Sequence, residues 1–274
     1  MSSPSGESLR LSAREADWSA ALRGRLGRPL EIHSALDSAM DRAHALGEAG
    51  APAGACVLTE HQRRGRGRRA NDWQDAPGDS LLLALLLRPT WTPARGGLLA
   101  LGAGLALARA GDAFGLRLAL KWPNDVLHGE RKVAGVLSEA RLSGDGYAQL
   151  VLGMGVNVHQ RETDFAPALR GRASSLDLAA GRRLSRRDLF ATLLVELEAV
   201  LDALDTDAAP RLLDAWRERW AHRGRVARDE AGRRLRLMDV DATGALRVES
   251  PTGSELLQAG ELLVLEEDAN AGDD

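Results

Sequence analysis

The apolar positions of this chain switch between helical and strand-like spacing in a readable order. Leu11, Trp18, Leu22 and Leu26 fall on one face at helical spacing, which predicts an amphipathic helix over 11–26. A short strand over 30–33 follows, then a helix over 36–48 that stops at Gly50-Ala51-Pro52. Residues 55–59 read as a strand. Residues 80–87 form an apolar run expected of a strand buried on both faces, closed by Pro89 and Pro93. Residues 98–110 carry no charge before Arg109 and predict a buried helix. Strands are expected over 117–121, 133–140 and 148–156, with hairpin-turn chemistry at Ser143-Gly144-Asp145-Gly146. Ser185, with Asp188 three residues on, opens a long helix striped by Leu189, Leu193, Leu197, Val200 and Leu204. Pro210 interrupts it, and a further helix is expected over 211–221. Beyond Gly224 the pattern changes to short strands over 225–228, 234–240, 245–249, 255–258 and 262–265, which together suggest a small β-barrel. The first eight residues and the acidic end over 266–274 read as loose tails.

Composition narrows the class. With 274 residues, 44% hydrophobic and 27% charged, the chain can bury a core and fits one large domain with a small one. A formal net charge of -3 argues against a generic nucleic-acid binder. The single cysteine, Cys56, allows no internal disulfide; in ACVLTE it reads as a small buried hydrophobe. No cationic-then-apolar leader opens the sequence, and the longest apolar run is too short to cross a bilayer. The expectation is a cytoplasmic protein with no membrane partner.

Two segments carry candidate chemistry. His61–Arg69 (HQRRGRGRR) places five arginines in nine residues. Glycines at 65 and 67 let the backbone approach a ligand and offer it N–H groups, and arginine is a permanent fork of donors suited to phosphate or carboxylate. The run reads as an anion-holding loop, with a solvated basic loop and a nucleic-acid patch as alternatives. In the second segment, Lys121-Trp122-Pro123-Asn124-Asp125 follows a predicted strand, and Arg131-Lys132 precedes the strand starting at Val133. Cations and an acid thus meet near adjacent strand ends, where polar groups face ligands; an ordinary hairpin with solvated charges is the plainer alternative.

Taken together, these pieces resemble the biotin–protein ligases over about residues 30–266. The matching residues occur in that family's order: Asp37-Ser38-Ala39-Met40, Glu60-His61-Gln62, Gly65–Arg69, Trp73, Lys121–Asp125, Arg131–Gly135 and Gly153-Met154-Gly155-Val156-Asn157. The resemblance implies a mixed α/β sheet with flanking helices, like the class II aminoacyl-tRNA synthetase and biotin ligase catalytic core, over 1–222. A small Src-homology-3-like β-barrel over 223–268 and an acidic tail over 269–274 complete the expected organisation. It further implies activation of biotin by ATP and Mg²⁺ as biotinyl-5′-AMP, then transfer to a lysine of a biotin carboxyl carrier protein. By resemblance, Arg68 and Lys132 are the catalytic cations. Ser38, Ala39, Met40, Gln62, Arg66 and Gly67, with Arg68 and Lys132, contact biotin. Trp73, Lys121, Asn124, Asp125 and Asn157 lie toward the nucleotide, and no direct protein ligand to a metal is expected. Two anions ~4 Å apart repel by about 4 kcal/mol at an effective dielectric of ~20, so fixed cations suit the first step.

The pattern is broken at Ala39, where the family usually has Thr, and at Met40, where Asn is common; a lost hydroxyl contact costs about 1 kcal/mol. The residues before the first strand are too few for a winged helix-turn-helix, so a ligase without DNA-binding repression is expected, as a monomer or a homodimer. A lipoate or octanoate ligase or transferase of the same fold is the near alternative. A nucleic-acid-binding regulator is the distant one.

Overall fold

The structure is a computed structural model that describes residues 14, 17–258, 260 and 262–264. Seven strands form the main sheet: β1 (Leu30–His33), β2 (Cys56–Thr59), β3 (Ser80–Leu87), β4 (Ala119–Lys121), β5 (Asp125–His128), β6 (Arg131–Ser143) and β7 (Gly146–Asn157). Their spatial order is β1-β2-β3-β7-β6-β5-β4, with β1 and β2 parallel and every other pair antiparallel.

A strand that is apolar at every residue needs cover on both faces, and β3 has it. Leu81, Leu83, Leu85 and Leu87 point into the large core, which includes buried residues of α2 (Gly96–Asp112), α4 (Arg186–Asp205) and α5 (Ala209–Arg217). Ala84 and Leu86 point the other way, into a smaller cluster under α1 (Ala39–Glu48). Helix α2 crosses α4 closely at Gly102, where a Cβ would stand 2.5 Å from Val200 Cγ1. Side-chain caps start three helices, of which the sequence reading named only the one at Ser185; α1 begins at Ala39, three residues later than expected. Ser38 accepts from Met40 N, Ser185 from Asp188 N, and Ser175 from Leu178 N at the short α3 (Leu176–Ala180).

Several boundaries move for identifiable reasons. Residues 17–21 are helical, but the helix expected over 11–26 ends there; the chain turns at Gly24 and Gly27, and Leu26 N donates to Glu198 Oε1 at 2.8 Å. Leu11 and both tails lie outside the described residues. Pro210 sits in the first turn of α5, where its missing N–H costs nothing, instead of breaking a helix. That helix stops at Arg217 because the next residues are captured by the sheet edge: Leu120 N donates to Arg219 O and Ala221 N to Leu120 O. Asp125, expected in a strand-end loop, opens β5 and pairs with Lys121.

The C-terminal strands are β8 (Val226–Arg228), β9 (Arg234–Val240), β10 (Leu246–Ser250), β11 (Gly253–Leu257) and β12 (Leu263–Val264), ordered β11-β10-β9-β8-β12. Among the described residues this is an open antiparallel sheet and no pairing closes it into the expected barrel. Its alternating buried residues Leu235, Leu237, Leu246 and Val248 join the same apolar cluster as the main core. Among the described residues, no helix is long and apolar enough to cross a membrane.

Candidate active site

The site begins as a gap in side chains. Gly135 pairs with Gly155 and Leu137 with Gly153 across β6 and β7, on the sheet face that also carries Ala84 and Leu86 of β3. Three glycines so placed leave a bare patch of backbone, the usual meaning of glycine inside a strand. A Cβ on Gly153 would meet Met40 Sδ at 2.6 Å, and one on Gly155 would meet Trp73 Cε2 at 2.5 Å. The floor therefore exists so that Met40 and Trp73 can lie on it.

Four segments wall this floor into a cavity of about 160 Å³. The N-terminus of α1 supplies Ser38 and Met40, the arginine loop supplies Gln62 and Arg66–Arg69, and the β4–β5 turn and β6 supply Lys121–Asp125 and Lys132. Gly260 and Leu262 close it from the C-terminal sheet, whose Gly244 carbonyl accepts from Trp122 Nε1 at 3.0 Å. Five cations (Arg66, Arg68, Arg69, Lys121 and Lys132) and two carboxylates (Asp72 and Asp125) line it, which makes it a receptor for anions.

Among these cations Lys132 pairs with a carboxylate of the same cavity wall. Its Nζ is 2.6 Å from Asp125 Oδ1 and 5.9 Å from the centre of the Trp73 ring. Its backbone is tied on one side to the 172–174 segment, since Lys132 N donates to Arg172 O and Ser174 N to Lys132 O, each at 2.8 Å. Asn124 is equally tied, its Nδ2 donating to Val136 O at 2.6 Å. Ser38 is buried, and its hydroxyl accepts from Met40 N while keeping its own proton to donate. Gln62 Oε1 accepts from Ala39 N at 2.9 Å, which leaves its amide N–H groups.

The arginine loop is folded on itself. Trp73 N donates to Gly65 O at 2.9 Å and Gly67 N to Asn71 O at 2.7 Å. The Gly67 N–H is thus spent inside the loop and not offered to a ligand. Gly65 is required because a Cβ there would stand 2.7 Å from Trp73 O. Arg68 Nη1 donates to Gly260 O at 3.2 Å, and Arg69, in the left-handed region at φ 55°, pairs with Glu230. The Arg66 guanidinium is held by Asp41 and Glu139.

A second cavity of about 480 Å³ adjoins the first. Asn157, Phe165, Leu169 and Ala173 line it, and it shares Asp72, Trp73 and Lys132 with the first. Asn157 is buried and its Nδ2 donates to Ser174 O at 3.0 Å. Among the described residues no group of three or more His, Cys, Asp and Glu side chains is placed to hold a metal ion. Cys56 is fully buried and its thiol is pushed far up by burial, the state of an inert core residue.

Eleven of the thirteen residues singled out from sequence line the first cavity: Ser38, Met40, Gln62, Arg66, Gly67, Arg68, Trp73, Lys121, Asn124, Asp125 and Lys132. Asn157 lines the second. Ala39 lines neither; it is 2% exposed and packs with Ala43, Ala55 and Val57 between α1 and the sheet. Sequence reasoning missed the glycine floor, although glycines inside two strand patterns signal a close approach. It also missed Gly260 and Leu262, for which no local signal exists.

The profile of the Biotin/lipoate A/B protein ligase family matches residues 35–157. The Biotin--[acetyl-CoA-carboxylase] ligase of Paracoccus denitrificans is 32% identical over 220 residues, covering 76% of this chain and 89% of that protein. The Bifunctional ligase/repressor BirA of Bacillus subtilis is 33% identical over 174 residues, 63% of this chain and 54% of its own. The chain thus spans about half the length of the first curated relatives it matches. Among solved structures, the biotin protein ligase from Aquifex aeolicus in complex with biotin and ATP superposes with a TM-score of 0.74 at 24% identity, over 86% of this chain and 98% of that one.

Proposed function

The chain belongs to the Biotin/lipoate A/B protein ligase family, among its biotin–protein ligases, and from that premise we propose that it activates biotin with ATP and transfers it to a lysine of a biotin carboxyl carrier protein. The observation that carries this reading is the position of Lys132 in the wall common to both cavities. Biotin occupies the glycine-floored cavity with its ring system toward Ser38, Met40 and Gln62. The nucleoside occupies the second, against Phe165, Leu169 and Ala173. The carboxylate and the α-phosphate then meet beside Lys132, under Arg68.

In the first step a carboxylate oxygen of biotin bonds to the α-phosphorus, and the bond to pyrophosphate breaks, its electron pair leaving with pyrophosphate. In the second step the neutral amine of the acceptor lysine bonds to the acyl carbon. The C–O bond breaks, AMP leaves and the nitrogen gives up a proton. Lys132, aimed by Asp125, and Arg68 offset the negative charge that both steps gather. The oxygen donors of Asp72, Asn124 and Asp125 on the cavity wall would suit a Mg²⁺ that came with the triphosphate and kept most of its waters, and such an ion would supply charge neutralisation there.

We read residues 1–222 as the catalytic domain and 223–268 as a Src-homology-3-like barrel module that completes the pocket through Gly260 and Leu262. Residues 269–274 are an acidic tail beyond it. The test is biotin-dependent pyrophosphate release from MgATP, followed by label transfer to a carrier domain. Release with lipoate or octanoate but none with biotin would overturn the reading.

A further inference from the structure

Arg66 lines the cavity, and its guanidinium is bound by two carboxylates that do not line it. Nη1 and Nη2 donate to the Asp41 carboxylate at 3.0 and 2.8 Å. Nε donates to Glu139 Oε1 at 3.3 Å, and Nη2 reaches both Glu139 oxygens at 3.2 Å. Asp41 stands in the first turn of α1, next to Met40 of the pocket wall. Glu139 lies on β6 two residues beyond Leu137, on the same strand face as Gly135 and Leu137 of the cavity. One guanidinium therefore straps the loop to a helix on one side and to the floor strand on the other.

The strap is itself braced. His44 Nε2 is 3.3 Å from Glu139 Oε2, and its Nδ1 is 2.8 Å from the buried Gln149 amide. Arg66 holds the Asp41 carboxyl below the usual carboxylate range, so the pair stays charged near neutrality. The pair with Asp41 is two-pronged, the geometry that fixes orientation as well as distance.

We propose that Asp41 and Glu139 are positioning residues: through Arg66 they hold the arginine loop shut over the glycine floor and so retain the reactive acyl-adenylate until the acceptor lysine arrives. The inference rests on the biotin-ligase reading above. A mixed anhydride that escapes into water is hydrolysed, so an enzyme making one gains from a roof tied outside the reacting centre. Because neither carboxylate lines the main cavity and Lys132 stands on β6, loosening the strap shifts the opening of the loop that carries Arg68 and leaves Lys132 in place; saturating biotin draws the loop closed again.

The experiment compares wild type with Asp41→Asn, Glu139→Gln and their double variant, with Asp41→Glu as the conservative control. Three quantities are read: free biotinyl-adenylate appearing in solution per turnover, KM for biotin, and the single-turnover rate of pyrophosphate release at saturating biotin. The double variant is expected to leak adenylate and raise KM by roughly tenfold, with the single-turnover rate within about twofold of wild type, since the opening equilibrium and not the chemistry is shifted. Asp41→Glu is expected to restore most of the retention. If the double variant fails to fold, each single variant is expected to show about a threefold leak, as two partly independent ties imply. Unchanged leak and KM, or a single-turnover rate that falls while KM holds, would overturn the strap. A wild type that makes no adenylate would instead overturn the proposed function.

Discussion

The two halves of the site are held in place by different forces. The strand half, from Lys121 to Gly135, is fixed by ladders: Lys121 pairs with Asp125, Asp125 with Gly135, and Lys132 is stitched on its open side to Arg172 and Ser174. The loop half, from His61 to Asp75, is fixed by charges. Arg66 is tied to Asp41 and Glu139, His61 Nδ1 sits 2.9 Å from Asp75, and Arg69 pairs with Glu230. Buried ladders respond little to salt, while half-exposed ion pairs are screened. The rigid half is thus suited to placing the reacting centre, and the electrostatic half to opening and closing.

The strongest way to break this contrast is at its rigid end. Lys132→Ala is expected to slow adenylation by roughly 10²–10³-fold while biotin affinity changes only a few-fold, because the lost charge acts on the transition state. Rapid-quench pyrophosphate release and equilibrium biotin binding measure the two; equal losses would make Lys132 a binding residue alone. Next comes the floor. In Gly155→Val the new side chain meets Trp73, whose Cε2 would lie 2.5 Å from the Cβ, and biotin affinity is expected to drop by about tenfold or more as the floor fills. Wild-type affinity in that variant would move the binding surface elsewhere.

Ala39→Thr gives a third, smaller effect and reverses what the family pattern suggests. The pattern predicts tighter biotin binding from a restored hydroxyl. Ala39 faces the small core, so the substitution is instead expected to destabilise the fold by about 1–3 kcal/mol through overpacking, read as a lower melting temperature with no gain in affinity. Fourth, raising salt from 50 mM to 1 M is expected to lift KM for biotin by about threefold, and to do so much less in the Asp41/Glu139 double variant, whose strap is already gone.

The smallest effect lies at the joint between the sheets. His222, its Nε2 3.1 Å from Glu130 Oε2, is held below the ordinary histidine range, first by burial, which outweighs the pull of Glu130 the other way. The fold therefore prefers the neutral ring. Its contribution is fully present above the unfolded value of ~6.5 and is lost as pH falls through the lower folded value. Denaturant midpoints across this window are expected to decline toward acid in wild type and to flatten in His222→Gln.

How much of this the sequence revealed depended on whether each signal was local. β3 was legible at both ends because an all-apolar run needs two covers, and α4 because Ser185 and a leucine stripe agree. The Lys121–Asp125 turn and the arginine loop were legible as chemistry, since rare charged patterns stand out from a core. The parts that escaped are set by distant contacts. The end of α5 depends on capture by the edge of β4, 97 positions earlier at Leu120 to Arg217. The pairing of Arg66 depends in part on Glu139, 73 positions away. Ala39 was named for its place in a motif, which fixes position along the chain, whereas its burial is set by the facing residues of β2 and β3.

Ser38 joins two duties in one hydroxyl group, starting α1 and facing the cavity. Losing such a cap costs about 1 kcal/mol of stability. Evolution therefore cannot retune the polarity of that corner without also weakening the helix that carries Met40 and Asp41. Drift in substrate preference is channelled toward a neighbour such as Met40, whose side chain changes the pocket while the helix keeps its cap.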